Sequence, residues 1–255
     1  VKYVRVSFKG QPCWGELNQD QVTLLDGAPY AGGRPAGPIL DAAACEWLAP
    51  CQPSKIVAVG KNYHDHIREF DAEVPSHPIL FIKPSTCVQD PRKPILLPSP
   101  SLNSRVDYEG ELALVIRKKA FHVPAGEASA YILGYTILND VTARDLQKLD
   151  GQWTRAKSFD TFAPIGPLVT DEVDPASLQI TTTLNGHVRQ HESTSQLIWS
   201  VGELIEFITQ CMTLLPGDVV TTGTPAGVGP MQTGDTVSVT IEGIGTLTNP
   251  VLAGP

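Results

Sequence analysis

The amino-acid sequence predicts a β-rich α+β protein. Short apolar, β-type runs recur along the chain and are separated by turn residues, with 22 Pro and 22 Gly spread throughout and not pooled in one linker. Only one segment carries a convincing helical period. No internal repeat or low-complexity stretch interrupts the pattern.

The first strands are expected at Val4, Val6 and Phe8, then around Trp14 to Leu17 after Gly10, and at residues 22–25. Together they form a small N-terminal unit. Residues 27–38 read as a loop by composition, and an Ala-rich stretch leads to Trp47 and Leu48. Pro50 and Pro53 mark a boundary, which gives a small N-terminal domain over 1–52 and a larger one over 53–255. Beyond it, residues 55–59 form a compact β run closed by Gly60, and 79–82 form another ended by Pro84. Residues 106–116 make the longest clear strand. Residues 131–139 are apolar and β-rich, with Asp140 at their end. A strand over 178–184 meets Asn185-Gly186, a dipeptide suited to a tight hairpin turn. The helix is signalled by Ser200 and Glu203, a capping-box pair, although its apolar period (Leu197, Val201, Leu204, Ile205, Ile208) starts a turn earlier. Pro216-Gly217-Asp218 turns the chain into residues 219–222, and 237–241 and 244–251 are closing strands.

A net charge of -8 argues against sequence-independent nucleic-acid binding, which needs a basic footprint. It leaves room for an anionic substrate, because a few cations in a pocket dominate locally. No apolar run approaches the roughly 20 residues that span a bilayer. Residues 1–8 alternate polar and apolar and lack the pattern of a signal segment. Five cysteines without a CxxC spacing point to thiols in a reducing compartment, the cytoplasm.

The segment Asp107-Tyr108-Glu109-Gly110-Glu111 carries most of the chemistry. In a strand, residues two apart share a face, so Asp107, Glu109 and Glu111 line one side and Leu112, Leu114 and Ile116 the other. Adjacent carboxylates repel unless a cation sits between them, and a hard divalent ion prefers oxygen ligands. The same alternation also describes an edge strand with a solvated face. Asp140, ending an apolar strand before a polar turn, tips the balance towards a metal site. His66 and Glu69 are three apart and neighbour each other on a helix, where the carboxylate can orient the imidazole. Arg144 and Gln147, four and seven residues beyond Asp140, fall on one side if a helical turn follows. Residues 221–229 lack the GK[ST] ending of a nucleotide loop.

Gly60-Lys61-Asn62-Tyr63, the Asp107 to Glu111 strand, Asn139 to Asp145, Ala156 to Asp160 and Thr221 to Gly229 resemble, in order, the motifs of the fumarylacetoacetate hydrolase family. The likeness runs over about residues 54–252, and the first fifty residues look like the variable extension of bacterial members. The resemblance implies a mixed β-sandwich roll, a homodimer, and one Mg²⁺ or Mn²⁺ per subunit on Glu109, Glu111 and Asp140. Asp107 is not a ligand in that pattern. It further implies that His66 and Glu69 form a water-activating dyad on a lid, that Lys157 stabilises enolate charge, and that Arg144, Gln147 and Thr224 contact substrate. Lys83 resembles the family's pocket wall. The implied chemistry acts on 2-oxo or β-dicarbonyl acids through a metal-bound enolate, by hydrolysis of an acylpyruvate or decarboxylation of oxaloacetate. Keto–enol isomerisation, of oxaloacetate or of 2-hydroxyhepta-2,4-diene-1,7-dioate, is the alternative, and a non-catalytic metal-binding role a remote one. The loops at 70–78, 85–94 and near 150 are expected to set the substrate.

Overall fold

The computed structural model describes residues 1–69 and 73–254; of the first of those three loops, residues 70–72 lie outside the described residues. The chain folds as the strand-rich α+β protein that its punctuation predicts. The largest sheet runs in the order Pro35–Asp41, Gln21–Leu25, Gln11–Asn18, Lys2–Phe8, Ala163–Thr170, Ile132–Asn139, Gly110–Ile116, Val219–Thr221, Lys55–Gly60, Ile79–Pro84. A second sheet joins His187–Ser193, Gln179–Leu184, Thr236–Ile241, Gly245–Ala253 and Ile95–Leu97. A third, small one joins Thr142–Ala143, Val106–Tyr108 and Gly229–Pro230.

The N-terminal strands are not set apart from the rest. Lys2 and Tyr3 pair with Thr170 and Val169, so the first strands extend the main sheet. Val4, Val6, Val22 and Leu24 share one apolar cluster with Leu112, Leu114 and Ile137. Residues 27–38, expected to be a loop, instead contain a short 3-10 turn at Pro29–Ala31 and the start of the edge strand Pro35–Asp41. An edge tolerates Pro35 and Pro38 because one side of its backbone needs no partner.

The expected continuous strand over 106–116 is broken. Val106–Tyr108 belongs to the small sheet and Gly110–Ile116 to the large one, with Glu109 at the joint. The reason is local: Glu109 N–H donates to Asn139 Oδ1 (2.9 Å), and the N–H of Gly110 goes to Gln190 Oε1 (3.0 Å) on the neighbouring sheet. The strand is also buried on both faces. Leu112, Leu114 and Ile116 pack into one apolar cluster, and Ala113 and Val115 into the other. Alternation here separates two cores, and no face is solvated.

The helix Val201–Cys211 starts at the Ser200 capping box, with Leu197 lying outside it. Leu197 instead bridges to Tyr63, ahead of the helix. Asn185 and Gly186 both take positive φ (53° and 79°), as the two-residue hairpin requires. Fully buried Asp218 gathers the turn before Val219–Thr221 and the start of Lys55–Gly60. Its carboxylate accepts from the N–H groups of Ser54, Lys55 and Leu215 and from the side chains of Ser54 and Lys55. Among the described residues, no helix is long and apolar enough to cross a membrane.

Candidate metal centre and active site

Glu109 stands at the joint between two sheets, Glu111 one pleat further on, and Asp140 just past the end of the adjacent strand Ile132–Asn139. Gly110 pairs with Asn139, which brings the two strand ends together, and Asp140 N–H donates to the Glu109 carbonyl at 2.8 Å. Each of the three residues offers a carboxylate oxygen within 4.8 Å of the others, and all three are buried. Asp107 is buried too, but it turns to the arginines. Its carboxylate accepts from Arg144 Nε (2.9 Å) and from Arg105 Nε and Nη2 (2.8 and 3.1 Å). The shared-face reading therefore overcounted by one residue, because the break at Glu109 ends the two-residue period.

Two lysines and an arginine meet these carboxylates. Lys157 Nζ donates to Glu109 Oε2 (2.7 Å) and Asp140 Oδ2 (2.6 Å). Lys83 Nζ donates to Asp140 Oδ1 (2.7 Å) and to the Lys157 carbonyl. Arg144 Nη2 donates to Glu109 Oε1 (2.6 Å), while its Nη1 donates to Gln147 Oε1 (2.7 Å) on the same helix, Arg144–Asp150. Glu111 accepts the N–H of Gly223, at 3.0 Å, and has no ion pair among the described residues.

The titration of the site follows from these contacts. Burial alone would raise Glu109, but Lys157, Arg144 and His66 hold it well below the usual carboxylate range. Burial, then the charges of Asp140 and Glu109, push Glu111 well above that range. Burial pulls Lys157 down, yet Asp140 and Glu109 more than compensate and its pKa is raised. A cluster of buried carboxylates with too little positive charge around one of them fits a hard divalent cation with oxygen ligands.

The three carboxylates open into a cavity of about 270 Å³. Its walls include Gly60, Lys61, His66, Phe81, Arg144, Gln147, Lys148, Trp153, Lys157 and Thr224. Phe81 and Trp153 meet edge to face (centroids 5.3 Å apart), and the Lys157 ammonium lies 5.1 Å from the centre of the Phe81 ring. His66 sits on the short helix His64–Glu69 with Nδ1 3.3 Å from Glu69 Oε2, the i,i+3 contact expected from the spacing. Glu69 also accepts the N–H of Gly227 (3.2 Å), which ties this helix to the Thr221 to Gly229 segment.

Lys83 takes a different place from the one expected. Lys83 is fully buried and stands behind Asp140, where it supports the cluster and forms no part of the cavity wall. Thr224 does reach the cavity, but its hydroxyl donates to the Gly110 carbonyl (2.9 Å) and accepts from Gln190 Nε2 (2.8 Å). Gln190 links Gly110, Thr224 and Pro225, a bracing role that no local motif marks. Trp153 and Lys148 escaped the sequence reading for the same reason.

A family model described as fumarylacetoacetate (FAA) hydrolase C-terminal matches residues 55–252, and one described as Rv2993c-like, N-terminal, matches residues 1–50. The protein Rv2993c of Mycobacterium tuberculosis is 52% identical over 244 residues, covering 93% of this chain and 91% of its own length. The mitochondrial oxaloacetate tautomerase Fahd2a of Rattus norvegicus is 40% identical over 227 residues, covering 84% of this chain and 72% of its own. Among solved structures, the 2-hydroxyhepta-2,4-diene-1,7-dioate isomerase from Mycobacterium marinum superposes with a TM-score of 0.90 at 46% identity, covering 99% and 98% of the two chains. The maleylpyruvate hydrolase from Sphingobium sp. SYK-6, in complex with manganese(II) and pyruvate, superposes with a TM-score of 0.82 at 26% identity over the whole of both chains. Motif order, fold and site geometry agree with these matches: the chain belongs to the fumarylacetoacetate hydrolase family of enzymes.

Proposed function

We propose that this chain binds a 2-oxo or β-dicarbonyl acid at a divalent ion, Mg²⁺ or Mn²⁺, held by Glu109, Glu111 and Asp140, and moves a proton at the carbon next to the carbonyl. The observation that carries the reading is the buried carboxylate cluster opening into a cavity whose wall also holds Lys157, Arg144 and His66. When bound, the divalent ion supplies Lewis acidity at the carbonyl and a fixed point for the acid's oxygens. Lys157 is held in place by two carboxylates, so its charge is pre-organised for negative charge that develops beside it. Arg144, anchored by Asp107 and Glu109, has little freedom to move, and Gln147 extends the same wall. His66 is the group on this wall suited to take or return a proton, with Glu69 fixing the orientation of its ring.

Keto–enol interconversion needs only this proton transfer. The reading is supported by relatives of 40% and 46% identity that are named as a tautomerase and an isomerase. C–C bond cleavage, by hydrolysis of an acylpyruvate or by decarboxylation of oxaloacetate, is the second reading. The His66–Glu69 pair favours hydrolysis, because an oriented imidazole can also deprotonate water. Enol-to-keto conversion of oxaloacetate, followed by ultraviolet absorbance with Mn²⁺ present, separates the two readings when pyruvate formation is measured in parallel. The expected outcome is fast tautomerisation that excess chelator abolishes, and a loss of about 10²-fold or more in His66→Ala. Full activity in chelator, or an unimpaired His66→Ala, would overturn the assignment.

A further inference from the structure

Gln190 lies on His187–Ser193, the strand at the edge of the second sheet. Its neighbours Val188, Arg189 and His191 are exposed, as an edge allows, but Gln190 is fully buried. The pairing slips beside it. Thr182 faces Gln190 and Thr183 faces Val188, so Arg189 is an extra residue, a bulge of the kind that re-aims a side chain.

A buried carboxamide costs free energy unless its polar atoms find partners. Gln190 finds them on the main sheet and on the segment Thr221 to Gly229. Its Oε1 accepts the N–H of Gly110 (3.0 Å), and its Nε2 donates to the Thr224 hydroxyl (2.8 Å) and the Pro225 carbonyl (2.8 Å). Only one orientation of the amide satisfies both ends, since Gly110 offers a donor and Pro225 an acceptor. The Thr224 hydroxyl donates in turn to the Gly110 carbonyl (2.9 Å), which closes a ring of hydrogen bonds. Both backbone polar groups of Gly110 are thus held, and Gly110 is the residue between Glu109 and Glu111. The same segment reaches Glu111 through the N–H of Gly223 (3.0 Å) and Glu69 through that of Gly227 (3.2 Å). Gln190 itself lines no part of the cavity, so its contacts bear on the carboxylates through the backbone.

We propose that Gln190 is a positioning residue for the ion site: it clamps Thr224 and Pro225 onto the Gly110 peptide and thereby fixes the spacing of the Glu109 and Glu111 carboxylates. The proposal rests on the ion-binding reading above and adds to it a residue from another sheet that sets ion affinity without touching the ion. The test is calorimetric titration of Mn²⁺ into the full chain as wild type, Gln190→Met, Thr224→Val, Thr224→Ser and Asn249→Leu, with urea unfolding of each. Gln190→Met keeps the length of the side chain and removes the hydrogen bonds of the amide. Asn249 is the structural control: it is buried, its amide donates to the carbonyls of Asp90 (3.0 Å) and Lys93 (2.8 Å), and it lines no part of the cavity.

Gln190→Met is expected to weaken Mn²⁺ binding by about tenfold or more, as loss of an outer partner of metal ligands does. Asn249→Leu is expected to lower the urea midpoint while leaving Mn²⁺ affinity within about twofold of wild type. Thr224→Val should weaken binding in the same direction as Gln190→Met, and Thr224→Ser, which retains the hydroxyl, should keep wild-type affinity. This second pair decides the matter should Gln190→Met fail to fold. Wild-type Mn²⁺ affinity in Gln190→Met or in Thr224→Val, or an equal loss in Asn249→Leu, would overturn the positioning role. A wild type that binds no Mn²⁺ would instead overturn the ion-binding reading, and this inference with it.

Discussion

Glu109 and Glu111 are two residues apart, yet their carboxyl groups are driven in opposite directions. The difference lies in neighbours, since both are buried: Glu109 faces Lys157 and Arg144, whereas Glu111 faces Asp140 and Glu109. A ligand carboxyl must be deprotonated to hold an ion, so ion binding at the proposed site would displace the proton favoured by the raised pKa of Glu111. Mn²⁺ affinity is therefore expected to fall as pH is lowered through that raised value, by up to about tenfold per pH unit, with up to one proton released per ion bound. Calorimetry in buffers of differing ionisation enthalpy measures both quantities. Affinity independent of pH between 5 and 8, with no proton release, would show that Glu111 is not a ligand. At this scale the sequence was legible where chemistry is local: three carboxylates, the His66–Glu69 spacing and the lysine in the Ala156 to Asp160 motif. It was illegible where a residue's role depends on a distant partner. Asp107 looks like Glu109 in the sequence, and only the fold shows it turned to Arg105 and Arg144. Lys83 likewise ends a strand in the sequence but stands behind Asp140 in the fold.

At the scale of elements, the strand that carries the site is the one whose pattern misled. Polar and apolar residues alternate along it as they would on a half-solvated edge, but Gly110–Ile116 is a central strand with a core on each side. Gly110 makes that position possible. A Cβ on it would lie 2.3 Å from Thr182 Oγ1 and 2.9 Å from Val239 Cγ1, both on the neighbouring sheet. Gly110→Ala is expected to lose about 1–3 kcal/mol of stability by overpacking and to weaken Mn²⁺ binding, because Glu109 and Glu111 flank the displaced backbone. Gly126→Ala, where a Cβ meets nothing within 4 Å, is the matched control and should stay within about 0.5 kcal/mol of wild type. Urea unfolding of both variants checks the pair. Elements governed by short-range rules were read correctly, among them the Ser200 capping box and the Asn185-Gly186 hairpin. Residues 27–38 were not, since pairing with Gln21–Leu25 overrides a loop-like composition.

For the whole molecule, one matched family segment ends at residue 50 and the other begins at residue 55, but the packing does not stop there. The N-terminal strands extend the same sheet and contribute Val4, Val6, Val22 and Leu24 to a core shared with the carboxylate strand. The chain is therefore expected to unfold in a single calorimetric transition, with calorimetric and van't Hoff enthalpies in agreement. Two resolved transitions would show that residues 1–52 fold on their own. Sequence marks this point only by Pro50 and Pro53. It could not show the pairing of Lys2 and Tyr3 with Thr170 and Val169, which links residues far apart in the chain.

The position of Glu109 at the joint between two sheets bears on how the chain is kept in a cell. Its partner Asp140 is reached only after the chain has crossed the main sheet, so an unfolded polypeptide offers no assembled chelate. Ion uptake at the proposed site would then favour the folded population by mass action, adding about 2.7 kcal/mol when free ion stands at a hundred times its dissociation constant. Divalent-ion supply would set how long the protein survives proteases as well as how much of it can turn over.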